Sequence, residues 1–263
     1  LFAASVGALG ISNNSCIVIY DKGEYAATRL WWMFRPFGHD AVAVLDGGLA
    51  LWLHAGGTME AGDPAPATVQ FTSHFRPFLV RTLEQMRINL DTGAEIVIDA
   101  RPPARFAGDL PEMRAGVESG HIPGSVNLHY ARLLDGASGR FRSPGEIEKI
   151  FVEKGVELNA PPVATCGSRV SACHIALGLY LMGRHEIPVY DGSWAEWGAD
   201  PENPRRLHVV LLAQFQGFAA HHATEADPTR HRQRDTDRKR RTPHRHDEGD
   251  QEQQARHRSQ CRH

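Results

Sequence analysis

The sequence predicts an α/β protein built from parallel β-sheets that are flanked by helices. Continuous apolar runs, typical of strands buried on both faces of a sheet, alternate with stretches of helical periodicity. This order occurs in both halves of the chain, and each half closes with a strand followed by Asp-Gly, at Asp46-Gly47 and Asp191-Gly192. Alternation of this kind favours parallel pairing, because a crossover helix separates successive strands.

Residues 1–62 predict part of one such domain. The spacing of apolar residues predicts helices at 2–9, 26–34 and 49–55. Apolar runs at 16–20 and 41–45 predict two strands that are buried on both faces.

Residues 63–81 contain three prolines and predict an extended linker. Beyond the linker the same order of elements begins again and predicts a second domain over residues 82–204. Its predicted elements are a helix at 82–89, a strand at 95–100, a turn and short strand at 121–127, a helix at 144–154, a strand at 162–165, a helix at 171–182 and a strand at 189–190. A polar stretch at 101–120 precedes the turn.

Cys166 stands at the end of a predicted strand, before five residues that are mostly small or polar and the helix that follows them. In a loop of this kind the backbone N–H groups converge on the sulfur, and the helix dipole adds positive potential. Both effects favour the thiolate over the thiol, so we predict a reactive cysteine. A buried structural cysteine is the other interpretation of these residues alone.

An internal repeat favours the catalytic interpretation. Residues 19–52 align with residues 164–197, and Asp21 occupies in the first copy the place that Cys166 has in the second. An aspartate cannot carry a transferable sulfur. Only the second copy is therefore expected to perform thiol chemistry.

The formal net charge is −2, but the charges are distributed unevenly. Residues 205–263 contain 13 basic and 8 acidic side chains, against 16 and 23 in residues 1–204. This last stretch lacks periodicity and predicts a disordered tail. Its basic run at 238–241 is of the kind that contacts nucleic acid, but the interspersed acids favour an unstructured extension without that partner.

The four cysteines form no CxxC pair and have no regular spacing, which argues against a disulfide framework and against a zinc site. This usage predicts a reducing, cytoplasmic setting. The first residues lack the basic region of a signal peptide, and no apolar run approaches membrane-spanning length.

Taken together, these motifs make the chain resemble the two-domain rhodanese-type sulfurtransferases, and among them the mercaptopyruvate type. The matching motifs within residues 1–204 lie at 31–32, 37–39, 44–48, 97–101, 105–106, 120–127, 166–171 and 190–197. The resemblance implies tandem rhodanese-like domains, the first of them incomplete. In this family the N-terminal domain begins with a strand, a turn and a helix that would precede Leu1, and the histidine and aspartate proposed to partner the loop serine lie there.

The resemblance implies transfer of sulfane sulfur from 3-mercaptopyruvate or thiosulfate to a thiol or cyanide, through a persulfide on Cys166. A thioredoxin-like protein or a small thiol is the expected acceptor in a cell. No metal, no organic cofactor and no membrane partner is implied.

The resemblance also implies the roles of individual residues. Cys166 is the nucleophile, and Ser168 matches a loop serine thought to help proton transfer. Arg105 and Arg114 match arginines that hold the substrate carboxylate, as suits the bidentate geometry of a guanidinium group. The loop residues expected to bind substrate and the anionic persulfide are Gly167, Arg169, Val170 and Ser171.

Arg169 departs from the family pattern. The Cys-Gly-Ser sequence at 166–168 resembles the mercaptopyruvate type, whereas the thiosulfate type has basic residues directly after the cysteine. Glycine usually stands at position 169 in both. The arginine either attracts anionic thiosulfate or strains a backbone position that requires a positive φ, and both consequences remain open here.

Two other functions share parts of the pattern. A rhodanese-like phosphatase needs arginine at the sixth position after the cysteine, and Ala172 stands there. A non-catalytic module that carries sulfur or regulates a partner is the alternative that stays open. For Cys173, His121 and His174, packing is favoured over catalysis, and for Arg101 a structural ion pair is at least as well supported as substrate binding.

Overall fold

The first segment forms a small parallel sheet with helices around it. A computed structural model describes residues 1–23, 26–62 and 64–207. The elements of the first segment are α1 (Phe2–Ala8), β1 (Ile17–Ile19), α2 (Ala26–Phe34), β2 (Val42–Val44) and α3 (Gly48–His54). Strands β1 and β2 pair in parallel, with Ile17 opposite Val42 and Ile19 opposite Val44. Each element lies within a residue or two of its predicted place.

The prediction that residues 16–20 are buried on both faces is wrong. Ile19 is buried, but the side chain of Val18 is on the other face of β1, and 60% of its surface is exposed. The apolar run predicted a covered second face. In the described part of the chain that face of the two-stranded sheet stays open.

The stretch between the segments packs closely although it contains little regular structure. Phe71 is buried with its ring 6.0 Å from that of Phe2. The amide of Val69 donates to the carbonyl of Gly7, at a contact so close that a Cβ on Gly7 would lie 2.3 Å from the Val69 carbonyl oxygen. Glycine is therefore required at this crossing.

Strand β3 (Val80–Arg81), which the sequence places in the linker, is an edge strand of the second sheet. Two residues between a turn and a helix are too few to show a strand periodicity, so the sequence pattern missed it. The five strands of this sheet are all parallel, in the order β3-β7-β6-β4-β5. The others are β4 (Ile96–Asp99), β5 (Val126–Asn127), β6 (Pro162–Thr165) and β7 (Val189–Tyr190).

Helices flank this sheet, which confirms the predicted α/β class. They are α4 (Leu83–Thr92), α5 (Pro103–Ala107), α6 (Pro144–Glu153), α7 (Ala172–Leu181) and α8 (Ser193–Trp197). The Thr82–Gln85 and Ser143–Glu146 capping boxes begin α4 and α6. No helix among the described residues is both long and apolar enough to cross a membrane.

Helix α7 joins the two segments. It packs against α2, and eight of its ten residues are buried, which leaves no polar face. Trp31 of α2 contacts Tyr180 edge to face, with ring centroids 5.2 Å apart. One apolar cluster therefore runs from the first segment into the second.

The ordered second segment continues past the predicted boundary at residue 204. Arg206 and His121 exchange two backbone hydrogen bonds of 3.0 Å, and Arg205 forms an ion pair with Glu118. Residues 205–207 thus extend the domain, in contrast to the predicted start of the tail. The rest of the predicted tail, 208–263, lies outside the described residues.

The packing of α6 provides a stability test. Phe151 is fully buried, whereas 58% of the surface of its neighbour Val152 is exposed. We expect Phe151→Ala to lower the free energy of unfolding by about 3–5 kcal/mol, because it removes buried apolar surface and leaves a cavity. Val152→Ala should change it by about 0.5 kcal/mol or less. Urea denaturation measures both, and equal losses would contradict this account of the core.

Candidate active site

Cys166 lies directly after β6, a central strand of the five-stranded sheet, and it is 1% exposed. The loop 167–171 follows, and α7 begins at Ala172. The predicted strand, cysteine, loop and helix are therefore all present. The carboxyl ends of parallel strands are where α/β sheets place their ligand sites.

The first turn of α8 holds the cysteine loop through its backbone. The amide of Trp194 donates to the carbonyl of Cys166 at 2.8 Å, and the amide of Ala195 donates to the carbonyl of Gly167 at 3.0 Å. These amides are at a helix N-terminus, where they have no partner within the helix. They fix the two peptide units that follow Cys166.

Ser193 is the polar side chain that contacts the sulfur. Its Oγ lies 3.9 Å from Cys166 Sγ, accepts a hydrogen bond from the amide of Arg169 at 3.1 Å and donates to the Tyr190 carbonyl at 3.0 Å. The residue is fully buried, with φ of 54°. The sequence alone predicted no role for Ser193, although its position in the motif at 190–197 was a usable signal.

The backbone of Arg169 has φ of 65°, in the left-handed region that glycine adopts without strain. The side chain is about half exposed, and its Nη1 lies 3.7 Å from Asp191 Oδ2. The positive φ that the sequence left open is thus present, and the attraction of thiosulfate by this cation stays a prediction. A strained backbone position therefore bears a cation within the cysteine loop.

The other residues of the loop 167–171 have contacts of their own. Gly167 lies against the side chain of Arg101, whose Cδ would be 3.6 Å from a Cβ at that position. The carbonyls of Val170 and Ser171 accept hydrogen bonds from the first residues of α7. Ser168 is half-buried in the same loop.

The three arginines of the polar stretch have different surroundings. Arg101 is buried and binds both oxygens of Asp99 and the carbonyl of Gly120, so it is structural. Its guanidinium also lies 4.6 Å from the Trp194 ring centroid. These contacts leave it poorly placed to bind a substrate.

Glu112 lies between Arg105 and the structural Arg101. The Glu112 carboxylate, 4% exposed, lies 3.4 Å from Arg101 and 3.8 Å from Arg105. A quarter of the Arg105 side chain is exposed, so it can accept a further anion. Arg114 is exposed in the following loop, and no contact within the described ranges brings its guanidinium to this cluster.

Burial sets the protonation of two groups behind the loop. Desolvation raises the pKa of the fully buried Cys173 thiol, which donates to the Arg169 carbonyl at 3.3 Å. Desolvation lowers the pKa of His174 to about 4, against the opposing charge of Asp21. Cys173 is thus a neutral thiol and His174 a neutral imidazole near pH 7, as expected of packing residues.

The corresponding loop of the first segment contains an aspartate. Asp21 accepts hydrogen bonds from the amides of Gly23 and Ala27 at 2.8 and 2.9 Å. A cavity of about 380 Å³ opens beside it, and Asp46 and His174 are among its lining residues. No group of three or more metal-ligating side chains occurs in the residues that the structure describes.

The family model of the rhodanese-like domain matches residues 2–55 and 82–200. The chain belongs to the rhodanese family. This confirms the predicted family, and the match covers both segments described above. The cysteine loop of this rhodanese lies in the second matched segment and its aspartate counterpart in the first.

The most similar relatives include sulfurtransferases of two types. The rhodanese described here is 47% identical over 199 residues to the 3-mercaptopyruvate sulfurtransferase of Homo sapiens, covering 74% of this chain and 67% of that protein. It is 45% identical over 199 residues to the thiosulfate sulfurtransferase of Gallus gallus, covering 74% and 68%.

A solved structure agrees with these relatives. SseA from Escherichia coli, described as a 3-mercaptopyruvate sulfotransferase with the rhodanese fold, superimposes with a TM-score of 0.66 at 32% identity. The match covers 73% of this chain and 72% of SseA.

The strain at position 169 leads to a prediction. Arg169→Gly and Arg169→Ala both remove the guanidinium, but only glycine accommodates the positive φ without cost. We expect the glycine variant to be more stable than the alanine variant by about 1 kcal/mol. Thermal unfolding of the two variants measures the difference. An alanine variant of equal or greater stability would show that this backbone position is not strained.

Proposed function

We propose that this rhodanese takes sulfane sulfur from 3-mercaptopyruvate or thiosulfate and passes it to a thiol or to cyanide through a persulfide on Cys166. One observation carries the proposal: Cys166 lies at the carboxyl end of a central parallel strand and begins a loop that contains the half-exposed Arg169. The named activities of the human, chicken and Escherichia coli relatives support it.

With 3-mercaptopyruvate, the Cys166 thiolate attacks the sulfur of the donor. The S–S bond forms as the C–S bond breaks, and the electron pair of that bond remains on carbon as the enolate of pyruvate. The enolate takes up a proton to give pyruvate. With thiosulfate, the same attack on the outer sulfur releases sulfite, and the extra sulfur stays on Cys166 in both cases.

In the second half-reaction an acceptor thiolate or cyanide attacks the outer sulfur of the persulfide. The S–S bond to Cys166 breaks and its electron pair returns to the Cys166 sulfur. The products are a persulfide of the acceptor or thiocyanate. The buried, neutral Cys173 is not used in either step.

We assign the binding of donor anions to three arginines, Arg105, Arg114 and Arg169. Arg105 and Arg114 hold the carboxylate of mercaptopyruvate, and the charge of Arg169 attracts either donor. Ser168 assists proton transfer, and the loop amides from Gly167 to Ser171 stabilise the anionic persulfide. The Ser193 hydroxyl lies 3.9 Å from Cys166 Sγ and positions that sulfur.

We also propose a thioredoxin-like protein or a small thiol as acceptor, and a cytoplasmic setting. The irregular spacing of the cysteines supports a reducing compartment. One plant relative carries the description mitochondrial, so localisation of the tagged chain in its own cells is the relevant test.

The nucleophile is tested by substitution. Cys166→Ser should abolish release of pyruvate from mercaptopyruvate and formation of thiocyanate from thiosulfate and cyanide, because serine cannot accept the sulfur. Cys173→Ser serves as the matched control and should retain activity in its folded fraction. Activity that survives in Cys166→Ser would refute the proposed mechanism. Persulfide formation without turnover in the unchanged protein would indicate the sulfur-carrier alternative.

The carboxylate-binding arginines are tested by their kinetics. Arg105→Gln and Arg114→Gln should each raise the KM for mercaptopyruvate about ten- to a hundredfold with a smaller effect on kcat, because each loses a charged hydrogen bond to bound substrate. Arg132→Gln is the control, since Arg132 is exposed and forms an ion pair with Glu153 of α6. An unchanged KM in either test variant would exclude that arginine from the binding site.

A further inference from the structure

An ion pair connects the first segment to the cysteine loop. Arg29 of α2 donates from Nη1 to Asp191 Oδ1 at 2.6 Å, across 162 positions of sequence. The Arg29 side chain is 16% exposed, and its guanidinium lies 4.7 Å from the ring centroid of Trp32. The guanidinium is thus held by its own helix and aimed at the turn that contains Ser193.

Asp191 is shared between two arginines. Arg29 binds Oδ1 closely, while Arg169 lies 3.7 Å from Oδ2, beyond hydrogen-bond distance. The single negative charge of Asp191 therefore faces the positive charges of Arg29 and Arg169. Because Arg169 is the more exposed and the less tightly bound of the two cations, it is the one available to an approaching anion.

The charge of Arg29 also acts on the far side of the loop. It opposes the effect of burial on the pKa of the Cys173 thiol, and that thiol donates to the carbonyl of Arg169. Arg29 is accordingly next to the loop backbone as well as to Asp191. Its removal changes the electrostatics of the loop without removing any residue of the loop itself.

The two copies differ at this place. Arg29 lies eight positions after Asp21, just as His174 lies eight positions after Cys166. Each of these two residues contacts the other copy of the repeat. His174 reaches Thr28 at 3.1 Å as a neutral imidazole. The copy with Cys166 is therefore contacted by the cation of Arg29, and the copy with Asp21 by the neutral ring of His174.

We propose that Arg29 is a positioning residue that determines the preference of Cys166 for the charge of its sulfur donor; this rests on the proposed sulfurtransferase function. Because Arg29 binds the Asp191 carboxylate, that carboxylate does not neutralise the charge of Arg169. Thiosulfate carries two negative charges and mercaptopyruvate one, so the available cation favours thiosulfate more strongly. The first segment thereby contributes to specificity although its own loop has Asp21 in the place of Cys166.

Two substitutions in the same ion pair should act in opposite directions. In Arg29→Gln, Asp191 pairs with Arg169, and the ratio of kcat/KM for thiosulfate to that for mercaptopyruvate should fall roughly three- to tenfold. In Asp191→Asn, both cations are released and the ratio should rise. Because each ratio is measured on one enzyme sample, the folded fraction cancels. A purely structural role of the pair predicts changes in the same direction.

Arg35→Gln is the matched control, because Arg35 lies in the same interface, next to Tyr180 and the His185 carbonyl, and has no contact with Asp191. It should leave the ratio unchanged, and Arg29→Lys should restore most of it. The proposal is overturned if Arg29→Gln and Asp191→Asn shift the ratio in the same direction. It is also overturned if Arg35→Gln shifts the ratio as much as Arg29→Gln does.

A chemical probe separates this inference from the proposed function. The rates at which iodoacetate, an anion, and neutral iodoacetamide alkylate Cys166 are measured by peptide mass for each variant. Their ratio should fall in Arg29→Gln and rise in Asp191→Asn, whether or not the protein turns over a donor. A shifted ratio without turnover would support the positioning role and refute the function. Turnover with an unshifted ratio would refute the positioning role alone.

Discussion

The backbone hydrogen bonds between the first turn of α8 and the cysteine loop are the constraint on which the site depends. They fix the carbonyls of Cys166 and Gly167, while the Ser193 hydroxyl holds the Arg169 amide and faces the sulfur. Strand β6 and helix α7 place Cys166 at the carboxyl end of the sheet. The β7–α8 turn then determines the shape of the loop that follows Cys166.

The same turn connects the chemistry to the rest of the protein. Asp191, two residues before Ser193, forms an ion pair with Arg29 of the first segment, so the segment whose loop contains Asp21 is in electrostatic contact with the segment whose loop contains Cys166. In the first segment, the Asp21 side chain accepts hydrogen bonds from the amides of Gly23 and Ala27. The amides around this first loop thus bond a side chain of the chain itself, whereas the second loop contains Cys166.

Much of the architecture could be predicted because long apolar runs and helical spacings are local signals. Cys166 was identified for the same reason, since a strand, a cysteine, small residues and a helix are contiguous. The exposed face at Val18, the short edge strand β3 and the roles of Ser193 and Arg29 depend on which distant elements meet. No local pattern contains that information. For Arg101 the sequence favoured a structural ion pair at least as much as substrate binding, and the structure shows that ion pair with the buried Asp99.

The most direct test of the central claim is the mass of the Cys166 peptide after the protein is incubated with mercaptopyruvate and no acceptor. We predict a gain of one sulfur atom on Cys166, which cyanide then removes as thiocyanate. A folded protein that gains no sulfur, or gains it on Cys173 instead, would contradict the account.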